Sequence, residues 1–187
     1  MYTIDIAVDK FGFYVGWGCI AWVPTFYPLA SVYMVKHSPD WFGQGWFTTM
    51  VLVGIGHIVL NYWCDYQRQV FRASGGKCTI WSKPAKVIHA IYEDEHGERK
   101  RSTLLASGFW GLARHFNYVF ELGAAYTWCV ACGGWWVSPL PWMYPLFLTV
   151  LLVHRSFRDD DKCARKYGKY WQQYCDIVPY RIVPYVC

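Results

Sequence analysis

Three polar clusters in an otherwise apolar chain hold the residues able to do chemistry. The densest, from Ser107 to Tyr118, sets Arg114, His115 and Asn117 among Phe109, Trp110, Leu112 and Phe116. A charged group at membrane depth costs on the order of several kcal/mol unless something polar meets it, so these residues would face a cavity, a ligand or another chain segment. A polar helix end at the interface, with Arg114 snorkelling to water, is the reading that needs no ligand. Gly108 and Gly111 in the same cluster permit close approach of backbone or ligand.

The second cluster runs from Arg155 to Tyr174. Asp159, Cys163 and Tyr167 follow the four-residue spacing of one helix face, and Tyr170 and Tyr174 are expected to extend it. Such a face presents an acid, a thiol and several phenols. An ordinary amphipathic juxtamembrane helix, held by Asp–Lys and Asp–Arg pairs, would show the same pattern. In the third cluster Arg68 and Arg72 stand four residues apart. Two guanidiniums at that spacing suit a phosphate, although paired surface arginines also occur without one.

Other routes to chemistry lack support. There is no strand–G-x-G-x-x-G–helix unit, no P-loop, no G-x-S-x-G and no H-E-x-x-H, so any dinucleotide site would be of a non-Rossmann kind. Eight cysteines could suggest a disulfide framework, but Cys129 and Cys132 sit in an apolar run and Cys163 and Cys175 in a charged tail. The C-x-x-C at Cys129–Cys132 has no second pair, so no metal is expected.

The elements that must position these clusters are lipid-embedded. Of the 187 residues 55% are apolar and 20% aromatic, while 17% are charged, below the roughly 25% of soluble domains. The net charge of +5 is gathered in blocks at Arg68–Arg101 and Arg155–Arg181, beside apolar segments. Blocks so placed fit cytosolic loops and anionic lipid or ligand better than nucleic acid, which is not expected as a partner. Met1 to Ile6 lacks a basic n-region followed by an apolar core, so no cleavable signal peptide is expected.

The chain reads as an all-α polytopic membrane protein of about four to five transmembrane helices and a single membrane domain over 1–187. The first apolar run, Phe11 to Val35, is bent by Pro24 and Pro28; the second covers Phe47 to Trp63. An extramembrane loop over about 65–103 follows, with a hairpin expected between Val87–Tyr92 and the segment starting at Thr103. Leu104 to Trp136 is too long and interrupted for one simple helix, and Pro139 to Val153 is the last run before a cytosolic tail over about 155–187 with a juxtamembrane helix. Four spans would put both chain ends and both basic blocks on one side of the membrane.

At these clusters the sequence resembles the sterol reductase family of the endoplasmic reticulum, and within it the 7-dehydrocholesterol (Δ7-sterol) reducing branch. The likeness runs almost end to end: Thr3 to Ile6, Phe11 to Phe13, Gly16 to Gly18, Lys77 to Trp81, Lys86 to His89, Ser107 to Tyr118, His154-Arg155, Arg158-Asp159, Lys166 to Gly168 and Val178 to Pro184. Sterol C-14 reductases usually read Arg-His-Pro-Asn-Tyr at the central motif; this chain has Phe116 there, as Δ7 reductases do. Isoprenylcysteine methyltransferases share a related motif and use S-adenosylmethionine, but the length of the likeness favours the sterol reductases.

The resemblance implies a multi-pass protein of the endoplasmic reticulum membrane that uses NADPH to reduce the C7–C8 double bond of a sterol. Its partners would be the sterol, membrane lipid and other sterol-biosynthesis enzymes. The cofactor would be contacted by residues matching Arg68, Arg72, Leu105, Trp110, Asn117, Tyr118, Asp159, Cys163, Tyr167 and Tyr174. An isolated alkene accepts hydride only as a proton reaches its other carbon, in a pocket closed to water. Tyr174 or Tyr167, with Asp159, is the candidate proton source.

Two departures stand out. Relatives generally have Gly-Asp where this chain has Gly18-Cys19, and again where it has Phe120-Glu121. Family members also carry further helices ahead of the matching region, so a fragment or truncated form is expected. Two alternatives to a Δ7 reductase stay open: a C-14 reductase, or a non-catalytic membrane protein that binds sterol or NADPH.

Overall fold

A computed structural model describes residues 16–37, 43–93, 97–133, 135 and 137–186. The sequence readings at Thr3–Ile6 and Phe11–Phe13 lie outside the described residues. The chain divides into two compact units, Met1–Val51 with Ala125–Phe147, and Leu52–Ala124 with Leu148–Cys187.

The first unit opens on a helical run from Gly18 to Lys36 that two prolines interrupt. A π turn, Gly18–Trp22, leads into α1, Val23–Phe26, and the helix resumes after Tyr27 and Pro28 as α2, Leu29–Lys36. Pro24 and Pro28 have no backbone N–H to give to the preceding turn, which is why the ladder changes period there; Thr25 Oγ1 donates 2.7 Å to the Ala21 carbonyl beside the break. Aromatic rings fill this unit: Trp22 meets Phe147 at 4.2 Å and Tyr27 meets Tyr144 edge-on at 5.0 Å. The thiols of the C-x-x-C donate to carbonyls, Cys129 to Pro141 at 2.8 Å and Cys132 to Ala30 at 3.5 Å. Among the described residues, no group of His, Cys, Asp or Glu is placed to hold a metal ion.

The long helix α3, Gln44–Ala73, has 30 residues. At 1.5 Å per residue it is about 45 Å long, beyond the roughly 30 Å of a hydrocarbon core, so a span along it would leave some turns outside the apolar layer. Three of its polar residues turn back onto the helix: Thr48 Oγ1 donates to Gln44 O, Thr49 Oγ1 to Gly45 O and His57 Nδ1 to Val53 O. Asp65 to Ala73, expected as the start of the extramembrane loop, is therefore helical, and Arg68 and Arg72 lie on its last turns. The helix closes at Gly75 and Gly76, both with positive φ, the Gly76 N–H reaching Phe71 O at 2.9 Å.

Two small antiparallel pairs follow. β1, Thr79–Ile80, pairs with β2, Lys83–Pro84, across Trp81 and Ser82, whose φ of 49° and 63° close a two-residue hairpin. β3, Val87–Glu93, pairs with β4, Arg99–Leu105, in the register Val87↔Leu105 to Glu93↔Arg99, so the hairpin read from the sequence is present and longer than its pattern suggested.

A 3₁₀ turn, Gly108–Gly111, links β4 to α4, Asn117–Ala131. A second, Leu140–Trp142, leads into α5, Met143–Tyr167, which passes without a break from its apolar start into the charged tail. Gly168, with φ +52°, ends it, and α6, Lys169–Ile177, follows. Among the described residues two helical runs are long and apolar enough to cross a membrane, Gly18–Lys36 and Gln44–Ala73. The other two apolar helices are α4, with 15 residues, and α5, whose charge-free stretch ends at Val153.

Candidate functional site

Every residue singled out for cofactor binding lies in the second unit. The geometry is built around Trp110. Gly108 has φ +67°, and a Cβ there would collide with Gln67 Oε1 and stand 2.6 Å from the Ile80 side chain. The backbone can pass so close to α3 only as glycine, and the Phe109 N–H then donates to Gln67 Oε1 at 3.3 Å. At Gly111 a Cβ would lie 3.1 Å from Ala106 O, so the expectation of close backbone approach holds at both glycines.

The turn fixes the Trp110 ring from two sides. Its Nε1–H donates to the Cys64 carbonyl of α3 at 2.9 Å, and the Arg68 guanidinium lies over the indole face, 4.7 Å from its centroid. From α6 the Tyr174 hydroxyl donates to the Trp110 carbonyl at 3.1 Å. Leu105 and Trp110 share a buried cluster with Cys64, Phe71, Ile80 and Phe109. The Phe109 ring stacks on Phe116 at 5.8 Å and meets Phe120 edge-on at 5.5 Å.

At the start of α4, Tyr118 is buried and stacks on the His115 ring at 5.0 Å. Asn117 Oδ1 and His115 Nε2 are both buried, and neither has a hydrogen-bond partner among the described residues. A buried polar atom left unpaired is costly, and these two both belong to the Ser107–Tyr118 cluster.

Asp159, Cys163 and Tyr167 are half-buried on α5. Burial raises the Asp159 carboxyl above the usual range, against the lowering pull of Arg155, Arg158, Lys162 and Arg68. Burial, then the charges of Asp159 and Asp160, push the Cys163 thiol up to about 11, with Arg68 and Lys166 opposing. Burial also raises the Tyr174 phenol strongly, Arg68 again opposing. One guanidinium thus acts on Asp159, Cys163 and Tyr174, and on Tyr118 and Arg72 as well. The exposed Arg72 is within electrostatic reach of Tyr167 and Cys163. Tyr167 meets Tyr92 of β3 edge-on at 5.5 Å, and Lys166 Nζ lies 4.2 Å over the Tyr92 ring.

One sequence expectation needs correction. Tyr170 and Tyr174 do not extend the Asp159–Tyr167 face, because α5 ends at Tyr167 and the chain turns at Gly168. Tyr174 comes in from a second helix, which is how it reaches the Trp110 carbonyl. Sequence reasoning also missed Gln67 and the pairing of Arg114. That arginine neither snorkels nor faces an open cavity: its Nε and Nη2 donate to Asp160 at 3.2 and 3.1 Å, and Nη1 to the carbonyls of Val178 and Pro179. Asp160 also accepts from Arg181 Nε at 2.7 Å. The consecutive aspartates 159–161 were the available signal, since on a helix only one of three neighbours can face a given partner.

The second unit thus sets a guanidinium over an indole and a phenol on that residue's carbonyl, with no Rossmann unit among the described residues, in a helix-rich chain with two runs long and apolar enough to cross a membrane. The sequence profile of the ergosterol biosynthesis ERG4/ERG24 family matches residues 1–187, and the chain belongs to that family of sterol reductases. It is 47% identical over 182 residues to a 7-dehydrocholesterol reductase of Arabidopsis thaliana and 40% identical over 182 residues to one of Xenopus laevis. It is also 37% identical over 182 residues to a Delta(14)-sterol reductase of Methylotuvimicrobium alcaliphilum. Each match covers 97% of this chain but 41%, 38% and 40% of the respective relative, so the chain spans about two fifths of the length of these relatives.

Proposed function

We propose that the chain is the nucleotide-binding part of an NADPH-dependent sterol reductase of the endoplasmic reticulum membrane, acting on the C7–C8 double bond. The observation that carries the reading is the convergence on Trp110: a guanidinium over its face, a buried phenol on its carbonyl, and the unpaired Asn117 oxygen at the adjoining helix start. These residues fit a nicotinamide dinucleotide. Arg68 and Arg72 would meet its phosphates, Trp110 and Tyr118 its flat rings, Leu105 and Cys163 its apolar edges, and Asn117 and Asp159 its amide or hydroxyl groups. When bound, NADPH would supply the hydride.

The chain's own part is orientation, exclusion of water and the proton. A proton must reach one alkene carbon as the other accepts hydride, and a positioned phenol or carboxyl can hold it. Tyr167 and Asp159, two turns apart on one face of α5, are the candidates for this role. Tyr174, assigned the same task from the sequence, has its hydroxyl proton on the Trp110 carbonyl, which favours a part in holding the ring.

The preference for Δ7 over Δ14 rests on Phe116, which packs in the Phe109–Phe120 aromatic cluster where C-14 reductases usually have proline. The test is conversion of a Δ7- and a Δ14-unsaturated sterol by this chain joined to the preceding segment of a Delta(14)-sterol reductase, in membranes of a host lacking both reductases, read by gas chromatography. The Δ7 sterol should be consumed. Reduction of the Δ14 sterol alone would overturn the assignment.

A further inference from the structure

The chain's last described residues do more than trail from α6. Val178 and Ile182 are buried, and between them the backbone forms a strap across the approach to α4. The N–H groups of Arg114 and His115 donate to the carbonyls of Tyr180 and Arg181 at 3.0 and 2.8 Å. From beneath, the Arg114 guanidinium donates to the carbonyls of Val178 and Pro179 at 2.8 and 2.9 Å. Asp160 of α5 then joins both sides, taking a two-pronged bond from Arg114 and a single one from Arg181. The Arg181 guanidinium also stacks 3.9 Å over the Phe157 ring.

Each contact lies close in sequence to a candidate cofactor residue. Asn117 follows the Arg114–His115 ladder directly, and the Tyr118 N–H donates to His115 O at 3.0 Å. Asp159 adjoins Asp160. Tyr174 is tied to the strap by the Val178 N–H, which donates to its carbonyl at 2.8 Å. Three separate chain segments are thus set against one another by the strap, and buried bidentate pairs of this type fix geometry closely.

We propose that residues 178–182, locked by Arg181 and Arg114 onto Asp160, form a positioning strap that sets Asn117, Tyr118, Asp159 and Tyr174 in register for the dinucleotide. The three locking residues bond one another and the strap. The inference rests on the cofactor reading above, so its test carries one measurement that does not.

The full chain in detergent would be compared with Arg181→Leu and Arg181→Lys, following NADPH affinity by titration, melting temperature, and hydrogen exchange over residues 113–118. Arg181→Leu should weaken NADPH on the order of tenfold or more, since loss of register at a site is felt strongly even from a distance. It should also speed exchange at 113–118, while Arg181→Lys, which keeps the charge and loses the stack on Phe157, falls between. Unchanged affinity in the folded Leu variant would overturn the strap's role and leave it a stability element. If Arg181→Leu fails to fold, Arg181→Lys decides in the same way: weakened NADPH supports the proposal and wild-type affinity overturns it. If the wild-type chain binds no NADPH, the cofactor reading fails, and exchange alone judges the strap: faster exchange confined to 113–118 supports it, and no change overturns it.

Discussion

The two units of this chain are held together in opposite ways. Among the described residues of the first unit, Lys36 is the sole Asp, Glu, Lys or Arg, and the unit's contacts include tilted and edge-on rings and thiol–carbonyl bonds. The second unit holds the buried Arg114–Asp160–Arg181 group, the Arg68–Trp110 stack and two antiparallel strand pairs. Apolar side chains of the first unit such as Ile20, 82% exposed, and Val35, 87% exposed, are covered by lipid if the helix spans a bilayer. Lipid makes few demands on which apolar residue stands where, whereas a buried ion group depends on every member.

That contrast predicts very unequal responses to substitution. Asp160→Ala would leave two guanidiniums without their carboxylate, one of them only 8% exposed, and should destabilise the folded second unit by about 3–5 kcal/mol in denaturant titrations. A loss below about 1 kcal/mol would mean the group is solvated and the comparison is misjudged.

The thiol of Cys163 sharpens the contrast chemically. Raised from 9.0 to about 11, it is two units less acidic, so its thiolate fraction at neutral pH falls about 100-fold. Alkylation should be slow at pH 7.5 and still rising severalfold per pH unit at pH 10; a rate that levels off by about pH 10, as for a thiol at the ordinary 9.0, would show that the site is open to water.

Gly108→Ala comes next. Its Cβ meets Gln67 and Ile80, and φ is +67°, so a loss of about 2 kcal/mol is expected in the same denaturant series. Ile20→Val in the first unit should change stability by less than about 0.5 kcal/mol. A large effect there would point to a tight protein contact in place of lipid.

The same contrast explains what the sequence made legible. Apolar runs and the two prolines gave the first helical run, because span length and charge exclusion are properties of composition. The β3–β4 hairpin was readable from the turn formers that follow Tyr92. The Trp81–Ser82 hairpin was not, since neither residue is a usual choice for positive φ and the packing of Trp81 against Phe109 at 5.1 Å holds it there. The Arg68–Arg72 cluster was visible, but helix α3 running through it to Ala73 was not, because polar residues on the last turns look like a loop. Arg114 was recognisable as needing a partner. That the partner would be Asp160, 46 residues away, depends on a fold that brings them together, as does the turn at Gly168 that separates Tyr174 from Tyr167.

The central claim is that the polar patch around Trp110 and Asn117 is a dinucleotide site, and NADPH titration of the detergent-solubilised chain tests it most directly. Saturable binding is expected, weakened on the order of tenfold by Asn117→Ala, which removes the buried unpaired oxygen, and unchanged by Ile20→Val. A folded chain that binds no NADPH, or binds it equally well without Asn117, would contradict the account.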